Sequence, residues 1–492
     1  MARTTRRRFM AAGAALALWP RRALLDRRAR RRAPNVLVVI ADDQRWDCLS
    51  CAGHPFLKTP NLDRLAAEGA RFTNAFATTA LGSPSRATLM SGLYAHRHGV
   101  RDNSTDFPAE LPDCISALGA IGYETAYIGQ RHTAARNSAK RSGADYRACH
   151  EGQGKYCENV FEIQGRKTLL AGYYSHRITG LAAEWLAAPR ARPFCMIVGH
   201  KAPHTPFTPE PRYEGAFDAI PIAPPPSSGD TGAGKPEWIR ARRRTWHGVQ
   251  GPLLGLKDYP TFVRSYLTAI RSVDDSVGAL YETLRAAGRL DDTIFVFTSD
   301  NGFLLGEHGL TDKRAMYEES IRVPLIVRYP PAIAPSTAID RMVLNTDLAP
   351  SILELCGAPA LPATHGMAWG RLLRGDTRSW RTAWLYEYNF ERAFPFTPNI
   401  RGVRTAAWKL IRYPNADGRP DTDAPELYDL RTDPGETRNL FDAPEARPVR
   451  AALQSELARL LAATGALPDR MPAHPQIFDD LPDSKLHGRR AG

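Results

Sequence analysis

Two pairs of polar residues follow apolar stretches that have the composition of buried strands. Asp42 and Asp43 follow the apolar run 35–40 after Ala41, and Asp300 and Asn301 follow a similar run that ends at residue 298. Adjacent carboxylates repel one another unless a cation or hydrogen-bond donors compensate them. Oxygen ligands with no cysteine or histidine cluster beside them suit a hard cation such as Ca²⁺. Helix caps or turn acids are the alternative interpretation of either pair alone.

A second candidate site lies at the start of a predicted helix that spans residues 82–92. Pro84 suits the first helical turn, and Gly92 is a typical helix stop. The free N–H groups and partial positive charge at a helix amino terminus favour an anion, and the guanidinium of Arg86 would add a charged fork. Taken alone, the segment is more typical of an ordinary capped helix with a surface arginine.

The elements that would position these residues follow an α/β pattern. Strand-like runs at 35–40, 123–128, 194–198 and 293–298 each end at glycine or polar residues, as expected for a site at the carboxyl ends of parallel strands. Helix signals lie between the runs, and the longest covers 259–288. Short strands and turns replace this pattern near residue 365. We therefore predict a large, mostly parallel sheet covered by helices on both faces at 34–365, and a small α+β domain with an antiparallel sheet at 366–492.

The formal net charge of +13 is concentrated at the amino terminus. Residues 1–32 contain eleven arginines and one acid, a net of +10, which leaves 13 minus 10, or +3, for the other residues. Nucleic-acid binding needs basic residues clustered on the folded surface, so we expect no nucleic-acid partner. The body of the chain is predicted to be close to neutral.

The same amino-terminal segment resembles a twin-arginine export signal, because TRRRFM at 5–10 precedes an apolar run at 11–19. Nine apolar residues are too few to span a membrane, which takes about 20. We expect residues 1–33 to be a signal and basic tail, and the protein to be exported to the periplasm or the medium without a permanent membrane anchor. A disordered basic tail is the alternative.

The composition excludes several other classes of protein. With 492 residues, 43% of them hydrophobic and 24% charged, the chain is typical of a globular protein rather than a disordered or membrane-spanning one. Seven cysteines are too sparse for a disulfide framework. The lone C-x-x-C formed by Cys48 and Cys51 has no second pair to complete a zinc site.

Several motifs, in a fixed order, resemble the sulfatase family of alkaline-phosphatase-like hydrolases. The amino-terminal half carries the resemblance in 35–43, in TPNLD at 59–63 and in SPSR at 83–86. The later blocks are HKAPHTPF at 200–207, SDNG at 299–302, Lys313 before AMYE at 315–318, and ELYDL at 426–430. The stretch CAGHP at 51–55, together with 201–207, is most similar to the N-acetylglucosamine-6-sulfatase and mucin-desulfating subgroup.

This resemblance implies roles for individual residues. Arg86 would support the nucleophile and the anion, and Lys313 and His204 would lie around the sulfate. His204 would protonate the leaving oxygen, and His132 would act as base when sulfate is expelled. The implied substrate is a sulfated glycan or another small sulfate ester. The implied Ca²⁺ ligands are Asp42, Asp43, Asp300 and Asn301.

Two positions depart from the family pattern. In the family, a cysteine or serine two residues before the motif proline becomes formylglycine, whose hydrate is the covalent nucleophile. The proline here is Pro84, so the position is Gly82, which has no side chain to oxidise. Ser83 does not match, because Ser85 stands where proline or alanine is required. The family's Gly-Lys-x-His block reads GQRH at 129–132, so the lysine that contacts the formylglycine is also missing.

Three functions therefore stay open at the level of the sequence. The first is a Ca²⁺-dependent hydrolase of sulfate esters, of sugars above all, that lacks the usual nucleophile. The second is an inactive exported binder of sulfated or phosphorylated glycans. The third is a phosphoesterase that uses another nucleophile, such as Ser83.

Overall fold

A computed structural model describes residues 33–131, 144–229, 234–251, 258–392 and 394–473. Its larger part is built on one eleven-stranded sheet. The strands are β1 Asn35–Ala41, β2 Ala70–Phe76, β3 Glu124–Gly129, β4 Tyr146–Cys149, β5 Cys157–Ile163, β6 Arg166–Tyr173, β7 Phe194–Gly199, β8 Thr293–Ser299, β9 Arg322–Arg328, β10 Thr337–Ile339 and β11 Val343–Leu344. Their order in the sheet is β10-β2-β9-β8-β1-β7-β3-β4-β5-β6, with β11 paired to β2.

The centre of the sheet is parallel. β1 lies between β7 and β8 and runs parallel to both, with Val38 opposite Ile197 on one side and Val296 on the other. β3 continues the parallel arrangement beyond β7. Antiparallel pairs occur where β9 joins β8 and β2, and in the β4-β5-β6 extension. The carboxyl ends of β1, β3, β7 and β8 therefore meet at one edge.

Helices cover both faces of this sheet, as predicted. The helices are α1 Pro60–Ala67, α2 Gly82–Ser91, α3 Ala95–His98, α4 Cys114–Ala120, α5 Tyr174–Ala187, α6 Glu237–Arg242, α7 Tyr259–Ala286, α8 Glu318–Ile321, α9 Leu348–Cys356, α10 Gly370–Leu373 and α11 Arg447–Ala463. Val36, Val38 and Ile40 point into a core with α2, α4 and α9, whereas Leu37 and Val39 point into a core with α1, α5 and α7.

A smaller antiparallel sheet follows, in the order β12-β13-β14-β15. α11 packs on one of its faces through Leu453, Leu457 and Leu460. The other face packs against the larger part, where Trp384 and Tyr386 share a core with Tyr317 and other buried residues. The strands are β12 Ala383–Tyr388, β13 Ile400–Thr405, β14 Trp408–Arg412 and β15 Glu426–Asp429.

The predicted fold class is confirmed. The boundary placed after residue 365 stays a prediction: Trp369, Leu372 and Trp380 lie in the core of the large sheet, and the first strand of the small sheet begins at Ala383. All seven cysteines are free thiols. In the described ranges, no helix combines the length and the apolarity that crossing a bilayer requires. The predicted signal lies outside the described residues, apart from Ala33.

Candidate metal centre and anion site

The four predicted metal ligands come together at the carboxyl edge of the large sheet. Because β1 and β8 are adjacent and parallel, Asp42 and Asp43 leave the sheet beside Asp300 and Asn301. All four residues are at most 1% exposed. The backbone N–H of Asp43 donates to Asp300 Oδ1 at 3.1 Å, and Asn301 Nδ2 donates to Asp43 Oδ1 at 2.7 Å. The contacts hold the two strand ends together.

Asp43 is the electrostatic centre of this cluster. Burial raises its pKa to about 8, with Asp42 and Asp300 adding to the increase and Lys313 opposing it. Lys313 Nζ donates to Asp43 Oδ2 at 2.7 Å. The backbone of Asp43 has a φ of +71°, a conformation that non-glycine residues seldom adopt and that is enriched at functional sites. The hydroxyl of Tyr266 donates to the Asp43 carbonyl at 2.7 Å and supports this conformation.

These residues fit a hard divalent cation. Asn301 Oδ1 is buried and has no hydrogen-bond partner among the described residues, so it can serve as an oxygen ligand. Asp42, Asp43 and His204 each offer a ligand atom, and the three atoms lie within 4.8 Å of one another. Carboxylate and amide oxygens are the ligands that Ca²⁺ prefers.

Arg86 belongs to the same cluster but faces Asp300. It is buried, and its Nε donates to Asp300 Oδ2 at 2.9 Å. Its Nη1 donates to the carbonyl of Gln130 at 2.8 Å, and its Nη2 to the carbonyl of His200 at 3.4 Å. All three guanidinium nitrogens are therefore engaged. In this structure Arg86 orients the side chain of Asp300 and ties the ends of β3 and β7 to β8.

His204 lies beside the acids in its neutral form. Burial lowers its pKa well below the usual value, with a further contribution from Lys313. Nδ1 is 2.6 Å from the carbonyl of Thr205 and so carries the proton, which leaves Nε2, at 3.7 Å from Asp43 Oδ2, as the unprotonated nitrogen. The hydroxyl of Tyr156 donates to the His204 carbonyl at 2.7 Å and fixes the segment. His132, the predicted base, lies outside the described residues.

Gly82, where the resemblance to the family implies a nucleophile, is the first residue of α2. It is buried, and the helix ends at Ser91, followed by Gly92, whose φ of +71° is the left-handed conformation of a glycine cap. At this helix start the N–H of Ser83 donates to Asn103 Oδ1 at 2.9 Å. Ser83 and Arg86 line a cavity of about 30 Å³, and none of the four predicted metal ligands lines it.

The sequence did not predict two further contacts of the cluster. Gln153 Nε2 donates to Asp42 Oδ2 at 2.7 Å from a loop between Gly152 and Gly154, both of which have a positive φ. Nothing in the local sequence indicates that this loop reaches across to β1. Lys201 is also buried nearby, and burial lowers its pKa to about 8. Its position inside the motif at 200–207 was a signal that could have identified it.

A helix start and an acidic cluster at the carboxyl edge of an α/β sheet are typical of a metal-assisted hydrolase of anionic esters. Comparisons with known proteins identify the family within this class of hydrolases. The sulfatase profile matches residues 34–358, and the profile of the N-sulphoglucosamine sulphohydrolase carboxyl-terminal region matches 306–463. The chain belongs to the sulfatase family.

Several relatives cover most of the chain. N-acetylglucosamine-6-O-sulfatase from Bacteroides thetaiotaomicron is 31% identical over 92% of this chain and 88% of its own length. Human N-acetylglucosamine-6-sulfatase is 29% identical over 73% of this chain and 68% of its own. A protein solved in complex with its substrate D-glucosamine-2-N,6-O-disulfate superposes with a TM-score of 0.81, at 30% identity, over 89% of this chain and 99% of that one. The resemblance seen in the sequence motifs is confirmed.

Proposed function

We propose that the protein is a sulfatase-family hydrolase of the sulfate esters of sugars, in which Asp42, Asp43, Asp300 and Asn301 hold Ca²⁺. One observation carries the proposal: four buried oxygen-bearing side chains from β1 and β8 meet Lys313 and His204 at one edge of the sheet. The names of the relatives support a sulfated sugar as substrate, because they include N-acetylglucosamine-6-sulfatases and a complex with a disulfated glucosamine.

Each side chain has a distinct part in this proposal. Bound Ca²⁺ would supply positive charge that stabilises the sulfate oxygens. Lys313 adds a second positive charge, and Arg86 keeps Asp300 oriented. His204 donates a proton to the leaving oxygen, since an anionic sulfate beside the ring would raise its lowered pKa. His132 would act as base when sulfate is expelled from a covalent intermediate, a step that applies only where a formylglycine stands at position 82. Export through the twin-arginine route, on the strength of residues 5–19, completes the proposal.

Gly82 sets the expected rate. Loss of a covalent nucleophile costs on the order of 10⁴-fold or more, and only oriented charge then contributes to catalysis. The purified protein is therefore expected to show negligible aryl sulfatase activity. Turnover of a generic aryl sulfate at the rate of an ordinary sulfatase would contradict this.

The decisive experiment restores the missing group. Gly82→Cys, coexpressed with a formylglycine-generating enzyme, is expected to hydrolyse glucosamine 6-sulfate, whereas the matched Gly82→Ala, which adds Cβ without a thiol, stays inactive. If converted Gly82→Cys is inactive, Gln130→Lys is added to restore the second family residue. A folded, Ca²⁺-loaded and converted double variant that releases no sulfate from any sugar sulfate would show the proposal to be wrong.

A second candidate function is a binder of sulfated or phosphorylated glycans that does not cleave them. The chain lacks both the family's nucleophile, at Gly82, and the lysine that contacts it, at Gln130. Two departures at one contact are more typical of a site that no longer cleaves its ligand than of a single accidental change. Two results together would separate it from the hydrolase: calorimetry that detects sulfated oligosaccharides bound to the wild-type chain, and a converted Gly82→Cys, Gln130→Lys variant that binds the same ligands but releases no sulfate. The phosphoesterase alternative has less support, because Ser83 lines a cavity that none of the four ligands lines.

A further inference from the structure

A basic cavity of about 270 Å³ lies between α3 and the segment 465–470, which follows α11. Its volume suits one charged group with part of a sugar ring, and charged side chains from three parts of the chain surround it. Those that carry the argument are His96, Arg97, Arg101, Arg401, Asp469 and Arg470.

The inner wall of the cavity is already neutralised. Arg401 is buried and pairs with Asp469 through Nε at 2.7 Å and Nη2 at 2.8 Å. The His96 ring lies 2.9 Å from Glu387 through Nδ1 and 3.0 Å from the carbonyl of Thr464 through Nε2. Both carboxylates near this wall therefore have a cationic partner, and neither Asp469 nor Glu387 is available to the arginines at the mouth.

Three arginines at the mouth carry charge that the described part of the chain does not balance. Arg97 and Arg470 are exposed, and Arg101 is partly buried. None of the three forms an ion pair with a described carboxylate, and Arg101 Nη1 donates only to the carbonyl of Arg470, at 3.1 Å. Beyond residues 1–32 the whole chain has a formal net charge of only +3, so three unbalanced arginines around one cavity are a marked local excess.

A short stretch of chain joins the mouth of the cavity to the start of α2. Arg101 is two residues from Asn103, whose Oδ1 accepts from the N–H of Ser83 at the start of α2. Two residues span at most about 7 Å, so Arg101 lies close to the amino end of that helix. His98, within α3, is 3.0 Å from Thr88 of α2 through Nε2, which fixes α3 against the same helix. A sugar chain with its ester at Gly82 could therefore extend to the cavity.

We propose that this cavity is a second anion subsite, which receives a sulfate or carboxylate group on the sugar next to the one that carries the scissile ester. The inference rests on the proposed function, because it takes the substrate to be a sulfated glycan. The planar guanidinium of arginine pairs two N–H groups with two oxygens of such an anion. The protein would then prefer oligosaccharides with several negative groups to singly sulfated sugars.

The test measures affinity, so that it does not depend on turnover. Calorimetry in Ca²⁺ compares three ligands: a disaccharide with one sulfate, the same disaccharide with a second sulfate, and one with a uronate carboxylate in place of that second sulfate. The double variant Arg97→Gln, Arg101→Gln is expected to bind the two doubly charged ligands about tenfold more weakly, a loss of about 1.4 kcal/mol, and the singly sulfated ligand within twofold of wild type.

Arg374→Gln is the matched control, since Arg374 is an exposed arginine outside the cavity and has no described ion pair. It is expected to leave all three affinities unchanged. Equal affinity of the double variant and wild type for both doubly charged ligands would overturn the subsite, as would an equal loss for all three ligands. Failure of wild type to bind the singly sulfated ligand would instead overturn the proposed function. If the double variant loses affinity for only one of the two doubly charged ligands, that ligand identifies whether the subsite recognises sulfate or carboxylate.

Discussion

Asp43 and Asp312 are both buried, and Lys313 links them, yet their pKa values are shifted in opposite directions. Lys313 follows Asp312 in the chain and donates to Asp43 through Nζ. Burial raises the pKa of Asp43 to about 8, and two neighbouring carboxylates increase the effect. Burial also acts to raise the pKa of Asp312, but Arg314, His247 and Arg242 together hold it far below its usual value.

The difference lies in the partners that the chain supplies. Both Oδ atoms of Asp312 accept hydrogen bonds from Arg314 Nη1, at 3.1 and 2.8 Å, and Arg242 Nη2 also donates to Oδ2. Asp43 has Lys313 as its cationic hydrogen-bond partner and two further acids beside it. The charge of Asp312 is thus balanced inside the fold, whereas Asp43 shares one lysine with two neighbouring acids. On the proposed function, the buried acid is a structural residue in the first case and a binding residue in the second.

Of the changes considered, Asp312→Asn is expected to lower the free energy of unfolding most. Removing one partner of a buried ion pair typically costs about 3–5 kcal/mol, because it leaves a buried charge without compensation. Arg242 would lose its only carboxylate partner among the described residues. Urea unfolding in the presence of a chelator should therefore show a large loss of unfolding free energy for Asp312→Asn. It should show a much smaller one for Asp43→Asn, which also removes repulsion.

The two variants serve as controls for each other, because both replace a buried aspartate by its amide. Equal losses of unfolding free energy would mean that the acid cluster is balanced as well as Asp312 is. In that case the distinction between the two regions would be wrong.

The acidic cluster around Asp43 could be predicted from the sequence, whereas the ion pairs of Asp312 could not. Asp42, Asp43, Asp300 and Asn301 could be found because each pair follows a long apolar run, and the ends of parallel strands share one edge. The main elements could be predicted because each has a long apolar pattern. β1 and β8 are nearly continuous apolar runs, and α7 repeats apolar residues at three- and four-residue spacing.

The partners of Asp312 could not be predicted. Arg242 is 70 residues away in the chain and belongs to a six-residue helix. Arg314, two residues after Asp312, contacts it from an irregular segment in which its own φ is +76°. No periodic pattern indicates such contacts. Gln153 reaches Asp42 from a loop in the same way. Long-range contacts between irregular segments depend on the completed fold, so they are absent from any local signal.

Added Ca²⁺ should distinguish the two regions by the next largest effect. A ligand at 100 times its Kd stabilises the folded state by about 2.7 kcal/mol. Calorimetric melting of wild type should therefore show a higher Tm in Ca²⁺ than in a chelator. Asp312→Asn should start lower but keep the increase, whereas Asp43→Asn should lose most of it. An unchanged Tm of wild type in Ca²⁺ would contradict the metal centre itself.

The pH dependence of the metal-free protein gives the smallest and most specific effect. The pKa of Asp43 is about 8 in the folded state and near 3.8 when unfolded, so the folded state holds an additional proton between these values. Stability from this group is complete below about pH 4 and is lost as pH rises through 8, by up to about 1.4 kcal/mol per pH unit. The contribution of Asp312 to stability depends on pH in the opposite direction, because its lowered pKa adds stability above pH 3.8 that is lost only in acid.

The measurement compares variants in a chelator. The free energy of unfolding of Asp43→Asn minus that of wild type should increase between about pH 5.5 and pH 7.5. Asp312→Asn should show no such trend in this range, and subtraction of wild type removes the contribution of the histidines. A constant difference for Asp43→Asn would show that its carboxylate is ionised in the folded protein, and the positive charge already present would then suffice without a metal ion.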